Sequence, residues 1–278
     1  MRRLVAVAAV VVVLGGTAAG FALRGSSTAA PPPTTTIRQL RQFKIVFPEG
    51  FNRAQMGARA GVVAKIARRE GGRRVRLSQP TYLAATAHPR AIPGFGGKKL
   101  PLEGFLFPDT YDFDRTSTSA QLVHEQLQEF SSKWDTLDLS YARSKNLTPY
   151  DVLKIASMIE KEAVAPGDRA KVARVIYNRL HLGMTLGIDA TIRYALHIPG
   201  TKSLTESELH NPTPFNTRLH PGLPPTPIAN PGLASMQAAA HPADGPWLYF
   251  VAEPDKVHSF FTASAQAFNE YKAAHGYG

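Results

Sequence analysis

Apolar residues recur at helical spacing within residues 147–163, while Lys154 and Lys161 fall on the opposite side. Thr148 is a suitable N-cap, Pro149 suits the first helical position, and Asp151 stands three residues after the cap, as in a capping box. The stretch therefore predicts a helix, and its apolar stripe consists of Val152, Ile155, Ala156, Ile159 and Ala163.

The same kind of pattern predicts the other elements of the chain. Helices are expected at residues 54–69, 79–87 (capped by Ser78), 119–134, 169–182 (capped by Asp168 and ended by Gly183), 189–196, 230–241 and 263–274. Strands are expected at residues 43–47 and 247–252, with 258–262 as the hairpin partner of the second. Proline-rich loops are expected at 89–101 and 211–231. This mixture predicts an α+β fold that is mainly helical.

The N-terminal segment is apolar and uncharged over residues 4–23, which is about enough to cross a bilayer core. Arg2 and Arg3 precede it and would keep the N-terminus in the cytoplasm. We therefore expect a tip and single transmembrane anchor at 1–23, a Pro/Thr/Ser linker at 24–41, a small module at 42–100 and a larger domain at 101–278. The protein would lie in the plasma membrane with its domains outside. A cleaved signal peptide remains the alternative.

Charge is distributed unevenly along the 278 residues. Residues 1–100 contain 17 of the 32 Lys and Arg residues but only two of the 21 acidic residues. Attraction to anionic lipid or to a wall polymer is the simplest explanation. Nucleic acid is not expected as a partner, because the basic run lacks interleaved aromatic residues.

Several classes of chemistry lack their sequence requirements. There is no cysteine, which excludes disulfides, thiolate catalysis and cysteine-ligated zinc. The chain contains no Gly-rich phosphate loop, no HExxH and no G-x-S-x-G, and its histidines show no metal-ligand spacing. We therefore expect neither a metal nor a cofactor.

Two glutamates, Glu160 and Glu162, stand at the end of the helix predicted at 147–163. At roughly 100° per residue they point to opposite flanks of that helix. A carboxyl group beside a buried face is partly desolvated, which raises its pKa and suits it to general acid catalysis. The alternative is that both are solvated surface charges, and the helix pattern alone does not decide between the two.

Six segments, in this order, resemble the endolytic murein transglycosylases of the MltG/YceG-like family. They are LEGFLFPDTY (102–111), ASMIEKEA (156–163), VARVIYNRL (172–180), FNTRLHPGLPPTPIANPG (215–232), AAAHP (238–242) and WLYFVAE (247–253), followed by His258 and Phe260. Residues 42–100 resemble the family's LysM-like module. The chain differs from the family at residues 187–191, where Gly187 and Ala190 replace a Gln-like residue and a proline. The aromatic residues of 102–111 are interpreted as a hydrophobic contact between domains, with ligand stacking as the alternative.

The resemblance implies a membrane-anchored lyase that cuts the β-1,4 bond from N-acetylmuramic acid to N-acetylglucosamine in nascent peptidoglycan. The product would end in a 1,6-anhydro sugar, and cleavage would terminate strand elongation. The resemblance implies three kinds of partner: glycan strands, membrane lipid through the N-terminal helix, and peptidoglycan synthases. By alignment the catalytic residue is Glu162, with Glu160 in a supporting role.

We expect the cleft to be completed by substrate-binding residues, which are Asn178, Asp189, Thr191, Asn216, Tyr249 and His258. For Asn178 the alternative is a structural bond to the backbone at a helix end, and for Asn216 a bond that holds its loop. Two rival functions also remain: a glycoside hydrolase whose second carboxylate is Asp189 or Glu253, and a non-catalytic wall-binding scaffold for synthases.

Overall fold

The computed structural model describes residues 40–71 and 74–277. The anchor expected at 1–23 and almost all of the linker expected at 24–41 lie outside the described residues. Within the described part of the chain, no helix has both the length and the hydrophobicity that a membrane crossing requires.

The first part of the described chain has the order strand, helix, helix, followed by three strands. Its elements are β1 (Phe43–Val46), α1 (Arg53–Gly71), α2 (Gln79–Ala85), β2 (Arg90–Ala91), β3 (Lys99–Leu100) and β4 (Thr110–Phe113). Strand β1 pairs with β4 antiparallel, so that Phe43 lies opposite Phe113 and Val46 opposite Thr110. This pairing crosses residue 100, where the sequence predicts a division between a module and a larger domain; the division stays a prediction.

The remaining elements are mainly helices. They are α3 (Ser119–Trp134), α4 (Ser140–Ser144), α5 (Pro149–Glu162), the 3₁₀ turn Pro166–Asp168, α6 (Arg169–His181), α7 (Asp189–Ala195), α8 (Glu206–Leu209), α9 (Leu233–Ala240), β5 (Tyr249–Ala252), β6 (Ser259–Thr262) and α10 (Ala265–Ala274). Strands β5 and β6 form the expected antiparallel hairpin. The α+β class is confirmed.

Helix α5 lies at the centre of the core and packs against α6 and α9. It begins at the predicted capping box, in which Thr148 Oγ1 accepts the Asp151 N–H and the Asp151 carboxylate accepts the Thr148 N–H. Every residue from Val152 to Ile159 except Lys154 is buried, including Ser157. The Ser157 hydroxyl donates to the Lys154 carbonyl and accepts the Ile228 N–H at 3.1 Å. This contact joins α5 to the proline-rich loop at 211–231.

Four local predictions are wrong, each because a tertiary contact takes precedence over a local signal. Asp168 makes no capping bond to α6; its carboxylate instead accepts the Ser259 N–H at 2.8 Å. Helix α9 begins at Leu233 rather than at 230, because the Asn230 side chain bonds the Leu106 N–H and the Phe51 carbonyl. Residues 89–101 contain the β2–β3 hairpin instead of an unstructured loop. The end of the aromatic segment forms β4.

The aromatic segment at 102–111 packs into the core, as its interpretation as a hydrophobic contact requires. The Phe105 ring lies 4.9 Å from the Phe95 ring and 5.0 Å from the Phe130 ring, measured between centroids. Gly104 has φ +91°, and a Cβ atom there would lie 2.6 Å from Pro227 Cγ. Glycine therefore allows the 211–231 loop to lie directly against this segment.

Candidate active site

Glu162 is the last residue of α5, and it opens into a cavity of about 680 Å³. The end of α5 forms one wall of this cavity. Helix α1 forms a second wall, helix α7 a third, and the chain at 197–200 a fourth. The residues that line it are Gly50, Asn52, Ala54, Gln55, Ala58, Lys161, Glu162, Asp189, Ala190, Arg193, Tyr194, His197, Ile198, Pro199, Gly200 and Ile228. We call this space the Glu162 cavity.

The Glu162 carboxyl group is protonated more readily than an ordinary glutamate. Burial is the main cause, and with the neighbouring Asp189 carboxylate it raises the pKa of Glu162 from 4.5 to about 7. The Ala190 backbone N–H, Arg193 and Lys161 act in the opposite direction and are outweighed. The side chain is half-buried, so it is shielded and still reaches the cavity. A carboxyl group with such a pKa can donate a proton and take one back near neutral pH.

Asp189, the first residue of α7, lines the same cavity. Its Oδ1 atom accepts a bond from Arg218 Nε at 2.6 Å, within a half-exposed ion pair. Because Arg218 belongs to the long proline-rich loop, this pair ties that loop to the start of α7. Among the expected site residues, Asp189 is the one that the structure brings into the Glu162 cavity with Glu162.

Glu160 lies on the other flank of α5, outside the lining of the Glu162 cavity. Its Oε2 atom accepts the Gly232 N–H at 3.1 Å, at the start of α9. Glu49 lies against the same glycine, where a Cβ atom would come within van der Waals overlap of its carboxylate. Burial, and then the Glu160 charge, raise the pKa of Glu49. The placement favours a structural task for Glu160 at the α9 terminus, and the supporting role in catalysis stays a prediction.

Thr191 and Asn216 are fully buried and do not line the Glu162 cavity. The Thr191 hydroxyl donates to the Ile188 carbonyl at 2.6 Å and lies 3.1 Å from the Thr217 hydroxyl. The Asn216 side-chain amide donates to the Leu209 carbonyl at 2.9 Å and to the Asn211 carbonyl at 2.8 Å. Both side chains therefore serve loop geometry in this structure.

Three of the predicted site residues lie on or against the β5–β6 hairpin and do not line the Glu162 cavity; they are Asn178, Tyr249 and His258. Asn178 donates to the carbonyls of Gly245 and Trp247, at 3.1 and 2.9 Å, and so holds the entry to β5. The Tyr249 ring stacks on Phe268 with 5.2 Å between centroids. His258 Nδ1 lies 2.7 Å from Asp255 Oδ2 at the exposed hairpin turn, and this contact raises the pKa of His258. Their substrate-binding roles stay predictions.

Glu103 is not among the predicted site residues, yet it is the most deeply buried carboxyl group next to the site, at 6% exposure. Its carboxylate accepts the Arg53 N–H at 3.0 Å, the Asn230 amide at 3.0 Å and the Tyr194 hydroxyl at 3.1 Å. Burial raises the pKa of Glu103 to about 7, while these donors oppose the rise. It therefore joins the start of α1 and the end of α7, which are two walls of the Glu162 cavity. The available signal was an acidic residue near the start of an otherwise apolar and aromatic stretch, residues 102–107.

A second cavity of about 440 Å³ lies on the other side of Tyr194. Tyr194 and His197 line both cavities, and Glu103 lines the second. Among the described residues, no cluster of His, Asp and Glu has the arrangement of a metal site. The side chains of the Glu162 cavity offer proton transfer by Glu162, with Asp189 as a second carboxylate in the same cavity.

Comparison with known proteins adds a family assignment to this geometry. The model of the YceG-like family matches residues 22–274. An endolytic murein transglycosylase of Bacillus subtilis is 37% identical over 175 residues, which cover 63% of this chain and 48% of that protein. An endolytic murein transglycosylase of Streptococcus pneumoniae is 32% identical over 183 residues, which cover 64% of this chain and 33% of that protein. The crystal structure of a yceG-like protein from Listeria monocytogenes aligns with a TM-score of 0.66 and 28% identity, over 82% of this chain and 76% of that one. The chain thus spans about half, or a third, of the length of these curated relatives.

Proposed function

Because the chain belongs to the YceG-like family, we propose that it is a membrane-anchored endolytic transglycosylase that cleaves the glycan strands of peptidoglycan. Its curated relatives from Bacillus and Streptococcus are endolytic murein transglycosylases. The observation that carries the proposal is the position of Glu162: a half-buried carboxyl group that opens into a large cavity and has a pKa of about 7.

The proposed reaction uses this one carboxyl group twice. Protonated Glu162 donates its proton to the glycosidic oxygen as the bond from C1 of N-acetylmuramic acid to that oxygen breaks, so N-acetylglucosamine leaves with a 4-hydroxyl group. The Glu162 carboxylate then accepts the proton of the muramic acid 6-hydroxyl, whose oxygen attacks C1. The products are a 1,6-anhydro end and a new N-acetylglucosamine end, and Glu162 regains its proton. No water is consumed.

The electrostatics of Glu162 suit both halves of this cycle. With a pKa near neutrality, the protonated and ionised forms are both populated at physiological pH, so donation and return of the proton cost little. The walls from α1 and α7 shield the carboxyl group, which helps the substrate's own hydroxyl to compete with water.

We place the enzyme in the plasma membrane, with residues 4–23 as a single anchor, the N-terminus in the cytoplasm and the remaining domains outside. Residues 42–100, which contain β1, α1 and α2, would form the LysM-like module. Anchoring would bring the Glu162 cavity to newly made glycan strands, where cleavage ends their elongation. Peptidoglycan synthases would then be neighbouring partners.

A second candidate function is a glycoside hydrolase with two carboxylates. It is favoured by one observation, which is that Asp189 lines the Glu162 cavity and influences the Glu162 pKa. In that mechanism Asp189 would activate a water molecule or act as the nucleophile. Glu253, the other candidate for a second carboxylate, lies at the β5–β6 turn and not in the cavity lining. The scaffold alternative is less well supported, because Glu162 faces a cavity and not a flat solvated surface.

Product masses from uncrosslinked glycan strands test the proposal. The wild-type protein should yield fragments with anhydro ends, and Glu162→Gln should yield none. Asp189→Asn should still yield anhydro ends, although more slowly, because it alters the charge and the loop contact beside Glu162. Glu270→Gln, on exposed α10, is the control for loss of one carboxylate. Reducing ends that disappear in Asp189→Asn would establish the hydrolase instead, and glycan binding without cleavage would establish the scaffold.

A further inference from the structure

Helix α1 has one exposed face that runs along its whole length. Seven exposed residues follow one another at helical spacing and lie within an arc of roughly 120°; they are Ala54, Gln55, Ala58, Val62, Lys65, Ile66 and Arg69. Glu70 is also exposed and lies roughly 40° beyond this arc. The first three of the seven line the Glu162 cavity, whereas the last four do not. The second half of this face therefore has no assigned task. We call Val62, Lys65, Ile66 and Arg69 the α1 patch.

The α1 patch combines exposed aliphatic and basic side chains. Val62 is 52% exposed and Ile66 48%, although both are large apolar residues. Next to the patch, Arg59 Nε donates to the Val46 carbonyl at 3.1 Å, and Val46 is itself 45% exposed. Aliphatic side chains beside cations are typical of surfaces that contact the headgroup region of a bilayer.

The part of the sequence that contains the α1 patch is strongly basic. Residues 51–100 contain eleven Lys and Arg residues and a single acidic residue, Glu70. Glu70 is paired with Arg41, at 3.1 Å. Within the described part of the chain, Lys65 and Arg69 make no ion pair, so their charges are available to an anionic partner. Residues 101–278, by contrast, contain more acidic than basic residues.

We propose that the α1 patch docks on a membrane surface rich in anionic phospholipid. The proposal rests on the membrane location proposed above, and it adds a second contact to the anchor. Sixteen residues separate the apolar segment that ends at Leu23 from the first described residue, Leu40. Even fully extended, at about 3.3–3.6 Å per residue, such a linker limits the distance from Leu23 to Leu40 to about 60 Å.

An aliphatic and basic surface fits lipid better than it fits glycan. Sugar rings are commonly held by aromatic side chains, and the α1 patch has none. Phospholipid headgroups offer phosphate to Lys65 and Arg69, and the interface accepts Val62 and Ile66. Docking would also set the orientation of the domain, because the same face of α1 continues into the Glu162 cavity at Gln55 and Ala58.

The absence of native cysteine allows a direct test with the full chain reconstituted in vesicles. A fluorophore is attached at Ile66→Cys, or at Val62→Cys as a second position, and quenching by nitroxide on lipid headgroups is measured. Vesicles contain phosphatidylcholine alone or with phosphatidylglycerol. A label at Ala274→Cys, on exposed α10, serves as the reference position. Flotation of the same samples reports whether the protein is anchored at all.

A label on α1 should be quenched strongly in vesicles that contain phosphatidylglycerol and weakly in vesicles of phosphatidylcholine alone. A label on α10 should be quenched weakly in both kinds of vesicle. Each basic residue contributes roughly fivefold to affinity for an anionic surface, so Lys65→Glu with Arg69→Glu should lower the docking equilibrium at least about 25-fold. The matched control, Arg143→Glu with Lys145→Glu, makes the same charge change on and beside exposed α4 and should have no effect.

Other results would overturn the proposal. Equal quenching in neutral and anionic vesicles would show that the anchor alone brings α1 near the bilayer. Protein that floats with vesicles but is not quenched at α1 would refute docking and leave anchoring intact. Protein that neither floats nor is quenched would refute both. A label response to purified glycan in place of lipid would assign the α1 patch to the wall polymer.

Discussion

Replacing Glu162 with glutamine is expected to stabilise the fold at alkaline pH. In the folded protein the pKa of Glu162 is about 7, whereas an unfolded chain has the ordinary value of 4.5. Between these values the folded state retains a proton that the unfolded state has lost, so wild-type stability falls as pH rises through this window. This loss of folding stability is complete above pH 7 and absent below pH 4.5. Because glutamine does not ionise, the Glu162→Gln variant does not undergo this loss.

The size of the effect follows from the pKa. A rise from 4.5 to about 7 corresponds to about 3 kcal/mol in the free energy of unfolding. The Glu162 side chain also faces an open cavity, where solvent screens its charge, so a gain of about 1–2 kcal/mol is expected for Glu162→Gln. For a domain of this size, that gain corresponds to a rise in Tm of about 2–8 °C.

Denaturant unfolding at pH 8 and pH 4 measures this gain. Glu162→Gln should be more stable than wild type at pH 8 and equal to it at pH 4. Glu208→Gln is a control of opposite sign, because the Thr205 N–H and Lys202 hold the pKa of Glu208 at about 2. That variant should be less stable than wild type at pH 8. If Glu162→Gln gives no gain at pH 8, Glu162 is a solvated surface charge and the argument for a general acid fails.

Three further predictions follow from the same structure. The kcat/KM for glycan cleavage should fall about tenfold per pH unit above pH 7, because cleavage needs protonated Glu162; a flat pH profile would contradict this role. Tyr194→Phe should lower the free energy of unfolding by about 1–3 kcal/mol, because buried Glu103 loses a hydrogen-bond donor; unchanged denaturant midpoints would show that the bond is dispensable. Gly104→Ala should cost more than about 2 kcal/mol, since the added Cβ atom meets Pro227 at a positive φ. Its control is Gly94→Ala, because Gly94 also has a positive φ, of +80°, but an added Cβ atom there would have no atom within 4 Å. Equal melting temperatures for the two variants would rule out the clash with Pro227.

The elements that local signals specify could be predicted from the sequence. Helix α5 has its capping box and its run of apolar residues within one short stretch, and the two glutamates at its end fall on opposite flanks as the helical repeat requires. Helix α3 was likewise predicted with the bounds Ser119–Trp134. In contrast, β4 was not predicted, because its pairing with β1 joins residues about 67 positions apart.

The environment of the candidate site depends on contacts that are distant in sequence. The walls of the Glu162 cavity come from α1, α5 and α7, and no local pattern shows that these helices meet. The burial of Glu103 depends on donors from residues 53, 194 and 230. Asn178 and Asn216 were predicted to bind substrate, and those roles stay predictions. In this structure both side-chain amides donate to backbone carbonyls, because amide donors that the fold shields from water need acceptors. The family resemblance located Glu162, and the structure supplied its surroundings.

Cleavage of uncrosslinked glycan strands in water enriched in ¹⁸O tests the central claim most directly. If the muramic acid 6-hydroxyl is the nucleophile, the wild-type products have anhydro ends that carry no ¹⁸O from the solvent. The Glu162→Gln variant should form no cleavage products. Wild-type products that carry one ¹⁸O atom at the new muramic acid end would show that water attacks C1. That result would contradict the transglycosylase account and direct attention to Asp189.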